Sequence, residues 1–150
     1  MKVKTVVFAV LMVLVQVAGT TASGSIKWYS YKEGMTLAEK EKKKAFIHFW
    51  TAWCPSCKKM EKETFRNSAV ITYLNKNYVS IKVNSDKESE LSSEFGIRGV
   101  PDNWFISENS KPIINQPGYL PAKTFLPILK YIHTDSFKEM SLSKFMRKKG

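Results

Sequence analysis

Five residues constrain this chain more than any other stretch. Trp53-Cys54-Pro55-Ser56-Cys57 holds the only two cysteines in 150 residues, three positions apart. It follows closely on the apolar, aromatic-rich run Ala-Phe-Ile-His-Phe-Trp at residues 45–50. A run of that length and composition predicts a short central strand buried on both faces. Pro55 suits the first turn of a helix, where its missing N–H leaves no bond unmade. A strand passing through Cys-x-x-Cys into a helix is the pattern of a redox-active dithiol. On these residues alone three readings stand: an exchange centre, an inert bridge and a metal-binding pair. A bridge across so short a loop removes little entropy from the unfolded chain and stabilises little. The two cysteines with His48 and His133 lack the paired spacing of a structural zinc site, so no zinc centre is expected. A reduced pair does suit copper(I), which makes a copper carrier the metal alternative.

The chain that carries this stretch is long enough for one domain with a real core and too short for two. Its beginning reads as a targeting segment. Lys2 and Lys4 precede an apolar run over residues 6–18, broken only by Gln16, and a small, hydroxylic run follows to Gly24. This is the layout of a secretory signal peptide over residues 1–22, with Thr20 and Ala22 placed for cleavage after Ala22. The apolar core falls short of the ~20 residues of a comfortable membrane span. No charge follows until Lys27, so an uncleaved anchor is the alternative. The expected location is the periplasm or another exported compartment.

Formal charge is +11, and loss of residues 1–22 with their two lysines lowers it to +9. Arginine occurs only at Arg66, Arg98 and Arg147. An exported, lysine-rich chain without an arginine-dense stripe argues against a nucleic-acid partner. It fits a solvated lysine surface suited to acidic partners or a negative membrane face.

Along the mature chain, residues 25–31 form an aromatic opening segment, and residues 32–44 are dominated by helix formers. The lysines at 40–44 are read as the solvated end of that helix, where cations suit the dipole. A helix from Cys54 to about Phe65 and a further turn or two over 69–74 follow. Alternation over residues 78–83 predicts a strand, and residues 89–95 a short helix stopped by Gly96. Residues 104–106 and 113–114 make a hairpin that begins after Pro101. Residues 119–133 read as the last helix of the domain, with Phe125, Leu126, Leu129 and Ile132 on one face. Alternating helices and strands ending in a hairpin predict an α/β fold with a mixed central sheet flanked by helices, in a single domain over 23–134. Residues 135–150 form a basic amphipathic C-terminal extension, packed back on the domain or, in a sharper reading, lying on a membrane surface.

Phe49-Trp50-x-x-Trp53-Cys54-x-x-Cys57-Lys58, followed by Gly96-Ile97-x-Gly99-Val100-Pro101, resembles the thioredoxin superfamily over roughly residues 28–133. The Pro117-Gly118-Tyr119-Leu120 segment resembles exported thioredoxin-like proteins associated with sulfur oxidation. Residues 57–65 resemble the C-terminal domain of the disulfide-reductase transporter family. The resemblance implies a thioredoxin fold with Cys54 attacking, Cys57 resolving, and a cis peptide at Val100–Pro101 facing the disulfide. It implies that Trp53, Val100 and Pro101 meet the substrate, with the Val100 backbone free to pair with an extended strand. Three features depart from the commonest pattern: Pro-Ser between the cysteines, His48 where many relatives have a buried acid, and Asp102 after the proline.

These readings combine into an exported protein disulfide oxidoreductase, expected to be a monomer, acting on disulfide-containing protein substrates. Reduction is favoured over oxidation or isomerisation, with electrons from a membrane dithiol donor, since no nucleotide or flavin motif implies a cofactor. A buried His48 would take the proton that Cys57 must lose. Cys54 at the helix N-cap is expected to ionise below the free thiol value of ~8.5. Alkylation of the reduced protein across pH checks this; an ordinary thiol titration would remove the helix-terminus argument.

Overall fold

The computed structural model describes residues 24–149. The signal segment expected at residues 1–22 lies outside the described residues. A two-residue strand, β1 (Trp28–Tyr29), opens the fold, and Ser30 then caps helix α1 (Tyr31–Glu41). Ser30 and Glu33 form a reciprocal capping box, which satisfies N–H groups that the first turn would leave unbonded. Lys42 ends α1 in the left-handed conformation. Strand β2 (Lys44–Trp50) follows, then helices α2 (Pro55–Glu63) and α3 (Ser68–Asn77) and strand β3 (Tyr78–Asn84). The short helix α4 (Ser89–Glu94) leads to strands β4 (Asp102–Ile106) and β5 (Pro112–Pro117). Helix α5 (Ala122–His133), a 3-10 turn (Ser136–Lys138) and helix α6 (Leu142–Lys149) complete the described chain.

The five strands lie in the order β1-β3-β2-β4-β5. β1 and β2 run parallel to β3, while β4 is antiparallel to both β2 and β5. β2 is therefore bonded on both edges and covered on both faces, as its near-continuous apolar run predicts. Alternation along it feeds two cores. Phe46 packs with Met60, Phe65, Val70, Leu74, Phe105, Phe125 and Leu129 on the side of α2, α3 and α5. Ala45, Ile47 and Phe49 pack with Ala38, Val79, Ile81 and Val83 on the side of α1. The result is a three-layer thioredoxin fold with a mixed sheet between helices.

Several boundaries differ from the sequence expectation. Lys44 is not on a solvated helix end. It is the first residue of β2, only 3% exposed, and its ammonium lies between Glu108 and Asp135. Burial opposes its charge, and the two carboxylates more than restore it, so its pKa sits above the ordinary lysine value. Helix α5 starts at Ala122 with Pro121 at the N-cap, three residues later than the apolar pattern suggests. The opening aromatic segment contains β1, whose short length hides any alternation. Beyond α5, Phe145 of α6 packs on Tyr131, and the Tyr131 hydroxyl donates to the Met140 carbonyl.

Helix α1 packs against β3 at Gly34, where an added Cβ would collide with the buried Ile81 side chain. Gly34→Ala gains helix propensity of about 1 kcal/mol, but overpacking of about 1–3 kcal/mol outweighs it. The variant should unfold at lower urea concentration than the wild type, and equal or higher midpoints would show that Ile81 moves aside freely.

Candidate active site

The chain leaves β2 at Trp50 and reaches α2 through a tight connection in which Cys54 N–H donates to the Thr51 carbonyl. Cys54 then takes the N-cap position of α2 and Pro55 the first turn, as the sequence predicts. The Cys54 sulfur accepts the Cys57 backbone N–H at 3.1 Å, so it occupies the place of a capping oxygen at the positive end of the helix. Cys54 and Cys57 are joined in a disulfide, with their Cα atoms 5.3 Å apart. Both are almost fully buried.

Two other segments meet at the disulfide. The Val100–Pro101 peptide is cis, and the Val100 carbonyl oxygen lies 3.5 Å from the Cys54 sulfur. Trp53 stands beside the disulfide with 67% of its surface exposed, and its indole N–H donates to Asp86 at 3.0 Å. Asp102, next to Pro101, is buried; burial pushes its carboxyl above the usual range, while the Asn115 amide partly offsets this.

On the other side of the disulfide a cleft of about 190 Å³ is lined by His48, Trp50, Thr51, Cys57, Lys58, Glu61, Lys62, Arg66 and Lys82. Its inner wall is the buried His48 and Cys57, and its rim includes the exposed Lys58, Lys62 and Arg66. Lys82 bonds Glu61 at 2.7 Å and lies over the Trp28 and Trp50 rings. His48 projects from β2 among aromatic rings, with Phe65 edge-on at 4.9 Å between centroids. Its Nδ1 is 2.9 Å from Asn103 Oδ1, directly across the β2–β4 pair. Burial, and then the nearby Lys82 charge, disfavour imidazolium and outweigh the Asn103 bond, so the His48 pKa is lowered to about 4. At neutral pH the ring is uncharged.

The profile of the thioredoxin-like domain family matches residues 31–133. The chain belongs to the thioredoxin-like family. A thioredoxin of Borreliella burgdorferi is 29% identical over 109 residues, covering 70% of this chain and 86% of that protein. The thiol:disulfide interchange protein DsbD of Actinobacillus pleuropneumoniae is 32% identical over 95 residues, covering 60% of this chain and 16% of its own length. An uncharacterised protein of Archaeoglobus fulgidus is 38% identical over 81 residues; the match takes in 53% of this chain and 63% of that one. The chain thus spans less than two thirds of some curated relatives and most of others. Among solved structures, a thioredoxin from Thermus thermophilus superposes with a TM-score of 0.67 at 24% identity, covering 73% of this chain and 88% of that one. The C-terminal domain of Neisseria meningitidis DsbD gives 0.57 at 24% identity, covering 66% and 90%. The matched region is a thioredoxin-like thiol–disulfide oxidoreductase domain with a Cys54–Cys57 pair.

Within that family domain the structure gathers Cys54, Cys57, Trp53, Val100, Pro101 and His48 around one end of β2. Sequence reasoning missed Asn103, Glu61, Lys82 and Asp86. Asn103 follows Asp102 ahead of the apolar run Trp104-Phe105-Ile106, so it reads as part of a turn until the fold is known; the others are ordinary polar residues until then. Among the described residues, no group of three or more His, Cys, Asp or Glu is arranged to hold a metal ion.

The His48 pKa sets a pH dependence of stability. The unfolded chain takes up a proton on this ring near pH ~6.5, whereas the folded chain does so only near 4, so stability falls as pH drops through that window. Urea unfolding of the wild type should lose about 2 kcal/mol between about pH 7 and 5 from this group. A His48→Gln variant should lack that part of the slope, and an unchanged slope would mean the ring charges readily in the folded protein.

Proposed function

We propose that the protein is an exported thiol–disulfide oxidoreductase that reduces disulfides in protein substrates through a mixed disulfide on Cys54. The observation that carries this reading is the Cys54 sulfur at the N-cap of α2, bonded by the Cys57 N–H and flanked by the exposed Trp53. The helix terminus favours thiolate over thiol at that position. In the reduced protein the Cys54 thiolate attacks one sulfur of the substrate disulfide; a Cys54–substrate bond forms and the other substrate sulfur leaves as thiolate. Cys57 then gives its proton to His48 and attacks the Cys54 sulfur. The Cys54–Cys57 bond forms and the second substrate thiolate leaves, so the substrate gains the two electrons that the dithiol loses.

Trp53, Val100 and Pro101 form the surface that a substrate strand meets, with Val100 supplying backbone contacts. His48 acts as acceptor and not as store: a ring of such low pKa passes its proton along the cleft to solvent. A membrane dithiol donor restores the reduced state, a role consistent with the likeness of this domain to DsbD. The apolar segment over residues 6–18 supports export. No helix among the described residues is long and apolar enough to cross a membrane.

A second reading, thiol oxidation, is favoured by the Lys58, Lys62, Arg66 and Lys82 side chains around the cleft, with Glu61 as the one anion there. Cations beside a nascent thiolate stabilise the reduced pair and strengthen the protein as an oxidant. Titration against glutathione separates the two: a potential near about −270 mV supports a reductase and one near about −120 mV an oxidase.

The decisive experiment is trapping. Cys57→Ala should accumulate a Cys54 mixed disulfide with its protein substrate, visible on non-reducing gels and lost with dithiothreitol, while Cys54→Ser should trap nothing. Equal trapping through either cysteine would overturn the assignment of roles.

A further inference from the structure

The proposed mechanism asks His48 to offer a lone pair to the Cys57 side of the cleft, and an imidazole has two nitrogens that could carry its single proton. The tautomer therefore decides whether the ring can act at all. Asn103 is positioned to make that choice. Its side chain is 0% exposed and its amide nitrogen donates to two backbone carbonyls, Gln116 at 2.9 Å and Gly118 at 3.2 Å. Only the NH2 end of the amide satisfies two acceptors, so these bonds fix which end points where. The oxygen is left facing His48 Nδ1 at 2.9 Å. An acceptor in that position calls for a proton on Nδ1.

We propose that Asn103 is a positioning residue that holds His48 as the Nδ1–H tautomer, leaving the Nε2 lone pair free for the proton of Cys57. Among the described residues no hydrogen bond engages Nε2, while His48 and Cys57 line the same cleft. The anchor reaches further: Gly118, whose carbonyl receives the Asn103 amide, donates its own N–H to the Pro101 carbonyl at 2.7 Å. The segment beside the disulfide, the end of β5 and the base are thus joined through one asparagine. Removing it frees the ring to take the opposite tautomer, which presents an N–H to Cys57 and accepts nothing. A charged carboxylate at 103 would still accept from Nδ1–H but would turn an oxygen on two carbonyls.

This inference rests on His48 being the proton acceptor, and two separate readouts keep the two claims apart. The tautomer is read directly from nitrogen-15 NMR of ring-labelled, full-length protein. Wild type should show Nδ1 protonated and Nε2 bare; a bare Nδ1 would overturn the proposal with no variant needed. In Asn103→Leu the Nδ1–H population should fall, and retention of the wild-type pattern would overturn it equally. Resolution is read by quenched-flow mass spectrometry with glutathione disulfide as the probe, following the Cys54–glutathione adduct. Asn103→Leu should form the adduct at the wild-type rate but resolve it about a hundredfold more slowly. A wild-type resolution rate with a shifted tautomer would overturn the proposal. His48→Gln resolving at the wild-type rate would instead remove the base itself, whatever the tautomer shows.

Asn103→Asp supplies a readout that a purely structural role would not move. A carboxylate against Nδ1 stabilises imidazolium, so the acid limb of the resolution profile should shift to higher pH. The charges that face the same ring or cleft, Lys82 from β3, Lys58, Glu61 and Lys62 from α2, and Arg66 after it, are unchanged in that variant. An unshifted acid limb would show that residue 103 does not govern the ring.

Discussion

The site depends on β2 being hydrogen-bonded along both edges. β3 and β4 hold it in the middle of the sheet, and the helices cover both of its faces. A strand so enclosed delivers its C-terminal end to a fixed point, and that point is where α2 begins. Cys54 therefore does not sit on a mobile loop. It is a helix cap, and the Cys57 N–H of the first turn, which would normally seek an oxygen, is turned toward sulfur. The same enclosure buries His48, because alternation along β2 sends residue 48 to the face that α2 covers. Redox sulfur and candidate base are thus placed by one structural decision.

The enclosure also explains why His48, Asn103 and Lys44 come with polar partners. A lone imidazole in an aromatic core would be costly, and Asn103 supplies its partner from the neighbouring strand. Asn103 in turn is satisfied by two carbonyls at the end of β5, so the polar path continues until it reaches backbone. Lys44 follows the same rule at the other end of β2. Its ammonium is nearly excluded from solvent, yet Glu108 from the β4–β5 turn and Asp135 after α5 both meet it. Removing one member of such a set would strand the others without partners, which is the expensive case.

How far the sequence reveals this varies with the range of the interaction. Cys54 as cap and Pro55 in the first turn are legible because both depend on a few adjacent residues. The buried strand at 45–50 is legible because it is apolar throughout. Lys44 misleads, because four lysines and a glutamate in a row resemble a solvated helix end until the chain is seen to turn at Lys42. The start of α5 is misplaced because Tyr119 and Leu120 are apolar, and apolar residues after a turn look like the first helical positions. Asn103 illustrates the harder limit. Its partnership with His48 spans 55 residues and exists only because β4 enters the sheet antiparallel beside β2. No local pattern encodes that register; it follows from packing the whole domain.

The electrostatics of the cleft then bear on how a proton can move through it. Lys58, Lys62, Lys82 and Arg66 outnumber Glu61, and Glu61 is already engaged by Lys82. A thiolate forming on the inner wall is favoured by this field, whereas an imidazolium beside it is opposed by both burial and charge. The two effects act on different halves of the same transfer. In the proposed transfer, the cations favour negative charge at Cys57 and oppose retention of its proton on His48. A buried carboxylate in the same place would behave differently, since it carries charge before the transfer and loses it afterwards. A neutral imidazole carries none before and one after, so the surrounding cations push the proton outward toward the rim. In the proposed relay, a histidine in place of a buried acid therefore changes a base that holds the proton into one that hands it on.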